Sequence, residues 1–137
     1  MKIRKLDIAE RDELASFWRK AFPDDPSHND PVKVIAEKLA VDDLIFVAEE
    51  NNIIIGACMA GYDGHRGWLY AVAIEHKLRR KGIGKELVTF AIACLKELGC
   101  GKVNLQIRKG NEQAEDFYKS LGFITEERIS MGIRFEE

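Results

Sequence analysis

The apolar residues of this chain change period near residue 40, and that change decides its fold class. Before it, Leu14, Phe17, Trp18, Ala21 and Phe22 recur at helical spacing, as do Val32, Ile35 and Leu39. Such stripes are what an amphipathic helix buries. After it, residues 44–49 and 52–62 are rich in Ile, Val and Ala, which suit a pleated surface. At Gly82 the helical period returns: Ile83, Leu87, Val88, Ala91, Ile92, Leu95 and Leu98 form one stripe. A chain patterned this way must lay helices on a sheet.

The boundaries follow from capping and turn chemistry. Residues 3–6 predict a first strand. Asp7 offers an N-cap to a helix from about residue 8 to 22, which Pro23 stops. Asp30 followed by Pro31 starts a second helix, since proline at the first helical position loses no hydrogen bond. Asn51-Asn52 is a turn signal that makes a hairpin of 44–49 and 52–62. A second turn, Tyr62-Asp63-Gly64-His65-Arg66-Gly67, leads into a strand over 68–74, where Trp68, Tyr70, Val72 and Ile74 share one face. The helix from Gly82 ends at Gly99. Val103, Leu105 and Ile107 alternate as a strand, and Asn111 caps another helix that turns Ala114, Phe117, Tyr118 and Leu121 inward. Residues 123–127 and 129–135 read as closing strands. The predicted order is β-α-α-β-β-β-α-β-α-β-β, a mixed sheet with helices on both faces, in the α/β or α+β class.

Length and charge narrow the rest. At 137 residues the chain fits one domain spanning 1–137, and 46 % hydrophobic content is enough for a core. Twenty-one Lys and Arg against 23 Asp and Glu leave a net charge of −2, which opposes nucleic-acid binding by bulk electrostatics. No apolar run approaches the roughly 18 residues of a membrane span, and the N-terminus lacks the apolar stretch of a signal peptide. Cys58, Cys94 and Cys100 have no CxxC spacing and read as reduced thiols of a cytoplasmic protein. His28, His65 and His76 lack ligand spacing, so no metal site is expected.

The chemistry concentrates in Val72-Ala73-Ile74-Glu75-His76-Lys77-Leu78-Arg79-Arg80-Lys81-Gly82-Ile83-Gly84-Lys85. A strand ends, a basic turn follows, and two glycines open a long helix. The first turn of a helix presents unpaired N–H groups at the positive end of its dipole, a natural seat for phosphate. Lys77, Arg79, Arg80, Lys81 and Lys85 place five positive charges within nine residues. Two other phosphate motifs fail. The dinucleotide fingerprint needs a third glycine where Leu87 stands. The NTPase loop needs Ser or Thr after Gly84-Lys85, where Glu86 stands, and a glycine at Arg79.

What fits is [RQ]-x-x-G-x-[GA], as Arg79-Arg80-Lys81-Gly82-Ile83-Gly84. This resembles the coenzyme A pyrophosphate motif of the GNAT superfamily of N-acetyltransferases. Downstream, Asn111, Ala114, Tyr118, Gly122 and Phe123 fit N-x-x-A-x-x-x-Y-x-x-x-G-F, which resembles that superfamily's second signature. The two come in the family's order, and with the upstream pattern the resemblance covers the whole chain. The turn from Tyr62 to Gly67 and Asn29-Asp30-Pro31 also resemble a group of small single-domain bacterial acetyltransferases.

The resemblance implies a mostly antiparallel, splayed sheet of the acyl-CoA N-acyltransferase type, with acetyl-CoA as cosubstrate. It places Val72, Ala73 and Ile74 along the acyl-pantetheine arm, an amide near Ile74 at the oxyanion, and Arg79, Arg80, Lys81, Gly82, Ile83, Gly84 and Lys85 at the pyrophosphate. Asn111 would hold the pantetheine or the end of its strand. Tyr118 would be the general acid, because a phenol of ordinary pKa, about 10, is protonated where a thiolate of about 8.5 leaves. The family's usual carboxylate bases are missing: Trp68 and Gln106 occupy their positions. Glu75 and His76 lie near the turn in sequence, but a water relay, or an amine that arrives neutral, is the preferred reading. The acceptor would be a small-molecule or peptide amine, met by the first two helices, the turn after Tyr62 and the last strands. Asp24, Asp25 and Asp30 in that region read chiefly as solvated acids, Trp18, Trp68 and Tyr70 chiefly as core, and His65 as a turn residue. A non-catalytic acyl-CoA-binding module of the same fold is the alternative, and the apolar segment 129–135 suggests a homodimer.

Overall fold

The structure, a computed structural model, describes residues 1–135. The chain divides into two compact units, Met1–Gln106 and the stretch from Ile107 onward.

The first unit holds a mixed five-stranded sheet in the order β1-β2-β3-β4-β5: β1 Lys2–Lys5, β2 Ile45–Glu50, β3 Ile53–Tyr62, β4 Gly67–Ile74 and β5 Val103–Asn104. The first four strands pair antiparallel and β5 joins β4 in parallel. Between strands lie α1 Arg11–Ala21, α2 Pro31–Leu39 and α3 Ile83–Glu97. The predicted first helix opens with one 3-10 turn. There the Asp7 carboxylate accepts from the Ala9 N–H at 2.9 Å and Glu10 accepts from the Asp7 N–H at 3.0 Å, a reciprocal cap. Asp30 precedes α2 as expected, but its carboxylate meets Arg19 at 3.2 Å instead of capping the helix. Asn51 and Asn52 both take positive φ, 51° and 64°, the tight turn that matches the twist of a hairpin.

Strand alternation distributes the core over two faces. Ile45 and Val47 of β2 pack with Leu14, Ala15 and Trp18 of α1 and with Ile35 of α2. Phe46 and Ala48 point the other way. The Phe46 ring meets Phe90 of α3 edge-on at 5.6 Å, and Ala48 packs with Ile55 and Ile83. Leu14, Phe46, Leu87 and Leu95 are completely buried, each contributing on the order of 2 kcal/mol in lost apolar exposure.

Three expectations need correction. Trp68, Tyr70, Val72 and Ile74 do not share a face. The β3–β4 register runs Met59↔Tyr70 and then Ala57↔Ala73, so β4 carries one extra residue there. Such a bulge reverses the alternation beyond it. Tyr70, opposite Met59, stays on the α1–α2 side, whereas Ile74 packs with Ile83 on the α3 side. Second, β5 is only two residues long; Leu105 and Ile107 alternate without entering the ladder. Third, residues 123–127 and 129–135 form no strand. Ile129, Met131, Ile133 and Phe135 alternate as expected but are 84–91 % exposed. Alternation supplies a face, while a strand also needs a partner for its backbone.

The second unit is built on α4, Glu112–Ser120. Asn111 caps it, its side-chain oxygen accepting from the Ala114 N–H at 3.1 Å. At the other end the Phe123 N–H reaches the Tyr118 carbonyl at 3.1 Å and the Gly122 N–H reaches Lys119 at 3.0 Å. These are the two bonds of a Schellman cap, which requires a left-handed residue at Gly122, here at φ 98°. Among the described residues no helix is long and apolar enough to cross a membrane.

Candidate active site

The site is assembled from backbone first. β4 is eight residues long but β5 pairs only with Gly67 and Trp68, so among the described residues no strand covers that edge of β4 from Leu69 onward. The Glu75 N–H donates to the Ile55 carbonyl at 2.7 Å. Alternation along an antiparallel pair then turns the Ala73 N–H toward β3 and the Ile74 N–H and C=O away from it, onto that bare edge. Amide groups directed into a gap between strands suit an extended, amide-bearing ligand, which can complete the ladder.

After Ile74 the chain makes a single 3-10 turn, His76–Leu78, and then the glycine turn into α3. The Glu75 carboxylate accepts from the Lys77 N–H at 2.8 Å; it caps that turn, and nothing marks it as a base. Arg80 (φ 66°) and Gly82 (φ 83°) both take left-handed conformations, so the turn reverses sharply before α3. Gly82 stands at the N-cap with no side chain to satisfy the first amides of a 15-residue helix. A Cβ at Gly82 would meet nothing within 4 Å, so the approach to these amides is open. Ile83 is buried and anchors the helix start against Ala48 and Ile55, while Arg79, Arg80, Lys81 and Lys85 are exposed and make no ion pair among the described residues. Open amides, a helix dipole and uncommitted cations fit a diphosphate.

In the second unit Tyr118 is half-buried between two rings, edge-on to Phe117 at 4.9 Å and to Phe123 at 5.6 Å. The spacing Tyr118, Gly122, Phe123 is thus a cap in physical terms: tyrosine and phenylalanine form the apolar contact that accompanies the two cap bonds. Asn111 is occupied as the cap of the same helix.

The remaining candidates have other work. Asp63 accepts from the His65 and Arg66 N–H groups, both at 2.7 Å, and these bonds hold its carboxyl below the usual range. His65 is exposed, its ring beside the Arg66 guanidinium. Tyr70 is 44 % exposed, and partial burial, then the Asp63 charge, raise its phenol above the ordinary value. All three cysteines are free; Cys58 is fully buried, its thiol pushed up to about 12 by burial with a smaller contribution from Cys94. Trp18 is buried as expected, but it also does something the sequence did not reveal. Its Nε1–H donates to the Ala71 carbonyl at 3.1 Å, at the bulge of β4, where Ala71 sits at φ 50°. A buried indole needs an acceptor, and that was the only signal available; the acceptor lies 53 residues away.

A strand edge that runs on into an open, cationic glycine turn suits an extended ligand ending in a diphosphate. The sequence profile of the acetyltransferase (GNAT) family matches residues 10–123. An acetyltransferase of Pectobacterium atrosepticum is 38 % identical over 138 residues, covering all of this chain and 97 % of that protein. Among solved structures, the aminoglycoside N-acetyltransferase AAC(6')-Iy, bound to a bisubstrate analogue of CoA and an acetylated neamine, superposes with a TM-score of 0.80 at 17 % identity, covering 98 % and 97 % of the two chains. A predicted acetyltransferase of Clostridium acetobutylicum, solved with acetyl-CoA, gives 0.75 at 23 % identity over 96 % and 95 %. The chain belongs to the acetyltransferase (GNAT) family. It is an N-acetyltransferase enzyme, and the five-stranded mixed sheet with four helices seen among the described residues is the fold of that class.

Proposed function

We propose that residues 1–137 act as one domain that moves an acetyl group from acetyl-CoA to a primary amine by direct attack in a ternary complex. The family match across both compact units supports a single working domain. The observation that carries the reading is the bare edge of β4 leading into the open, cationic turn of α3. In this reading Val72, Ala73 and Ile74 bind the pantetheine arm, while Arg79, Arg80, Lys81, Gly82, Ile83, Gly84 and Lys85 hold the diphosphate. Asn111 shapes the start of α4.

The amine nitrogen attacks the acetyl carbonyl carbon, forming the C–N bond and placing negative charge on the carbonyl oxygen. Main-chain N–H groups at the β4 edge stabilise that charge. As the C–S bond breaks, the thiolate takes the phenolic proton of Tyr118, which is regained from water. The ammonium product loses its proton to a water relay, since Trp68 and Gln106 stand where relatives place carboxylates. The acceptor is a small-molecule or peptide amine, a class that includes the aminoglycoside amines AAC(6')-Iy takes. The exposed apolar residues of 129–135 support a homodimer.

The test is CoA-thiol release over a panel of an aminoglycoside, a polyamine, free amino acids and an N-terminal peptide, beside calorimetry with acetyl-CoA. Turnover with at least one amine is expected. Tyr118→Phe is expected to keep acetyl-CoA affinity and lower kcat by about one to two decades. Unchanged kcat with chemistry limiting removes Tyr118 from the mechanism. Binding without release for every amine favours the non-catalytic acyl-CoA module, which the missing carboxylates leave as the second reading.

A further inference from the structure

We propose that Trp18 is a positioning residue for acyl transfer: its indole N–H locks the bulged peptide of β4 and so sets the amide that faces the acyl carbonyl. The inference rests on the function proposed above.

The geometry begins with the bulge. Met59↔Tyr70 and Ala57↔Ala73 are paired, which leaves Ala71 and Val72 together opposite Cys58. Ala71 adopts φ 50°, a left-handed conformation that is unfavourable for an alanine. A conformation of that kind persists only where surroundings hold it. The holding contact is Trp18 Nε1–H to the Ala71 carbonyl, 3.1 Å, from a residue 3 % exposed in the core cluster that also takes in Ala73 and against which Met59 and Ala71 pack. A carbonyl displaced from the regular ladder still needs a donor, and α1 supplies it.

The consequence passes through one peptide plane. A trans peptide holds its C=O and the following N–H antiparallel, and the chain has no cis bonds. Tying the Ala71 carbonyl to Trp18 therefore points the Val72 N–H away from α1. Two residues on, the Ile74 N–H faces the edge that β5 leaves bare. Phenylalanine at position 18 loses this bond but also leaves a cavity, so a side chain of the indole's own shape without the N–H is needed to separate the two effects.

The experiment replaces Trp18 with benzothienylalanine, which exchanges the N–H for sulfur at nearly constant shape, and in parallel with Trp18→Phe. Infrared spectra of bound 1-13C-acetyl-CoA need no acceptor. In the parent the carbonyl band is expected below its free position, and in the analogue it returns toward the free position. With the fastest amine of the panel, kcat falls about tenfold, equivalent to about 1.4 kcal/mol, while the KM and Kd for acetyl-CoA stay within about twofold. Unchanged kcat and an unmoved band overturn the proposal. So does a joint loss of affinity, kcat and thermal stability in the analogue, which marks a packing role alone. A parent that binds acetyl-CoA with its carbonyl band at the free position overturns this inference and leaves the binding reading intact. A parent with no affinity for acetyl-CoA overturns both.

Discussion

Gly82 shows how little of this site is side-chain chemistry. Its φ of 83° is unfavourable for any residue with a Cβ, while the space around it is empty. Gly82→Ala is therefore expected to act through the backbone and not through a clash, costing roughly 1–2 kcal/mol. The same change would turn the first amides of α3, so the Kd for CoA should rise at least several-fold; urea unfolding and calorimetry read the two effects separately. Arg80 carries similar strain at φ 66° with an unpaired, exposed guanidinium, as residues committed to a ligand often do. Six characters of sequence sufficed to find this turn because its physics is local: a strand end, cations, glycine, helix. Ala71 is the opposite case. Alanine has no left-handed preference, and what holds it there is an indole from another helix. No local pattern could have announced it.

Among the elements, α4 gives a physical reason for the spacing of Tyr118, Gly122 and Phe123. The cap brings the Phe123 ring within 5.6 Å of Tyr118, and edge-on pairs of this kind contribute about 0.5–1.5 kcal/mol beyond area burial. Phe123→Ala should lower kcat several-fold by freeing the Tyr118 ring, with the Kd for acetyl-CoA unchanged; steady-state kinetics beside calorimetry check it. Caps and turns at Asp7, Asn51, Asn52, Asn111 and Gly122 were all legible, since each is a contact within a few residues. The length of β5 was not. Val103, Leu105 and Ile107 alternate perfectly well, but how far a parallel strand follows its neighbour is set by where the neighbour diverges.

For the molecule as a whole, helices on both faces of the sheet were legible from the switch of period; that α1 and α2 share one face and α3 takes the other is read from the packing. The two-faced role of β4 and the unladdered 129–135 segment were not, since both depend on long-range pairing. Stability of the first unit also has an electrostatic component that joins β1, β2 and the start of α1. Arg4 meets Glu10 through two nitrogens, both at 2.8 Å, and Glu49 at 3.2 Å. The Arg4 guanidinium first, then the Asp7 N–H, hold the Glu10 carboxyl below its usual 4.5, against partial burial. A depressed folded value means stability that is present above pH 4.5 and lost as pH falls through the lower, folded one. Glu10→Gln should therefore cost about 1 kcal/mol at neutral pH, with the difference from the parent closing in acid. Denaturation curves at pH 7 and at about pH 3 test the sign.

The extra residue in β4 has an implication for insertions and deletions. Substitutions at Ala71 leave the count intact, so Tyr70 and Ile74 keep opposite sides. Removing one residue there would restore strict alternation and roll everything downstream over by half a turn. Ile74 would then leave Ile83, and the amides now bared at the edge would trade places with those facing β3. Chain length at this point, more than residue identity, keeps the two halves of the strand in phase with their separate neighbours.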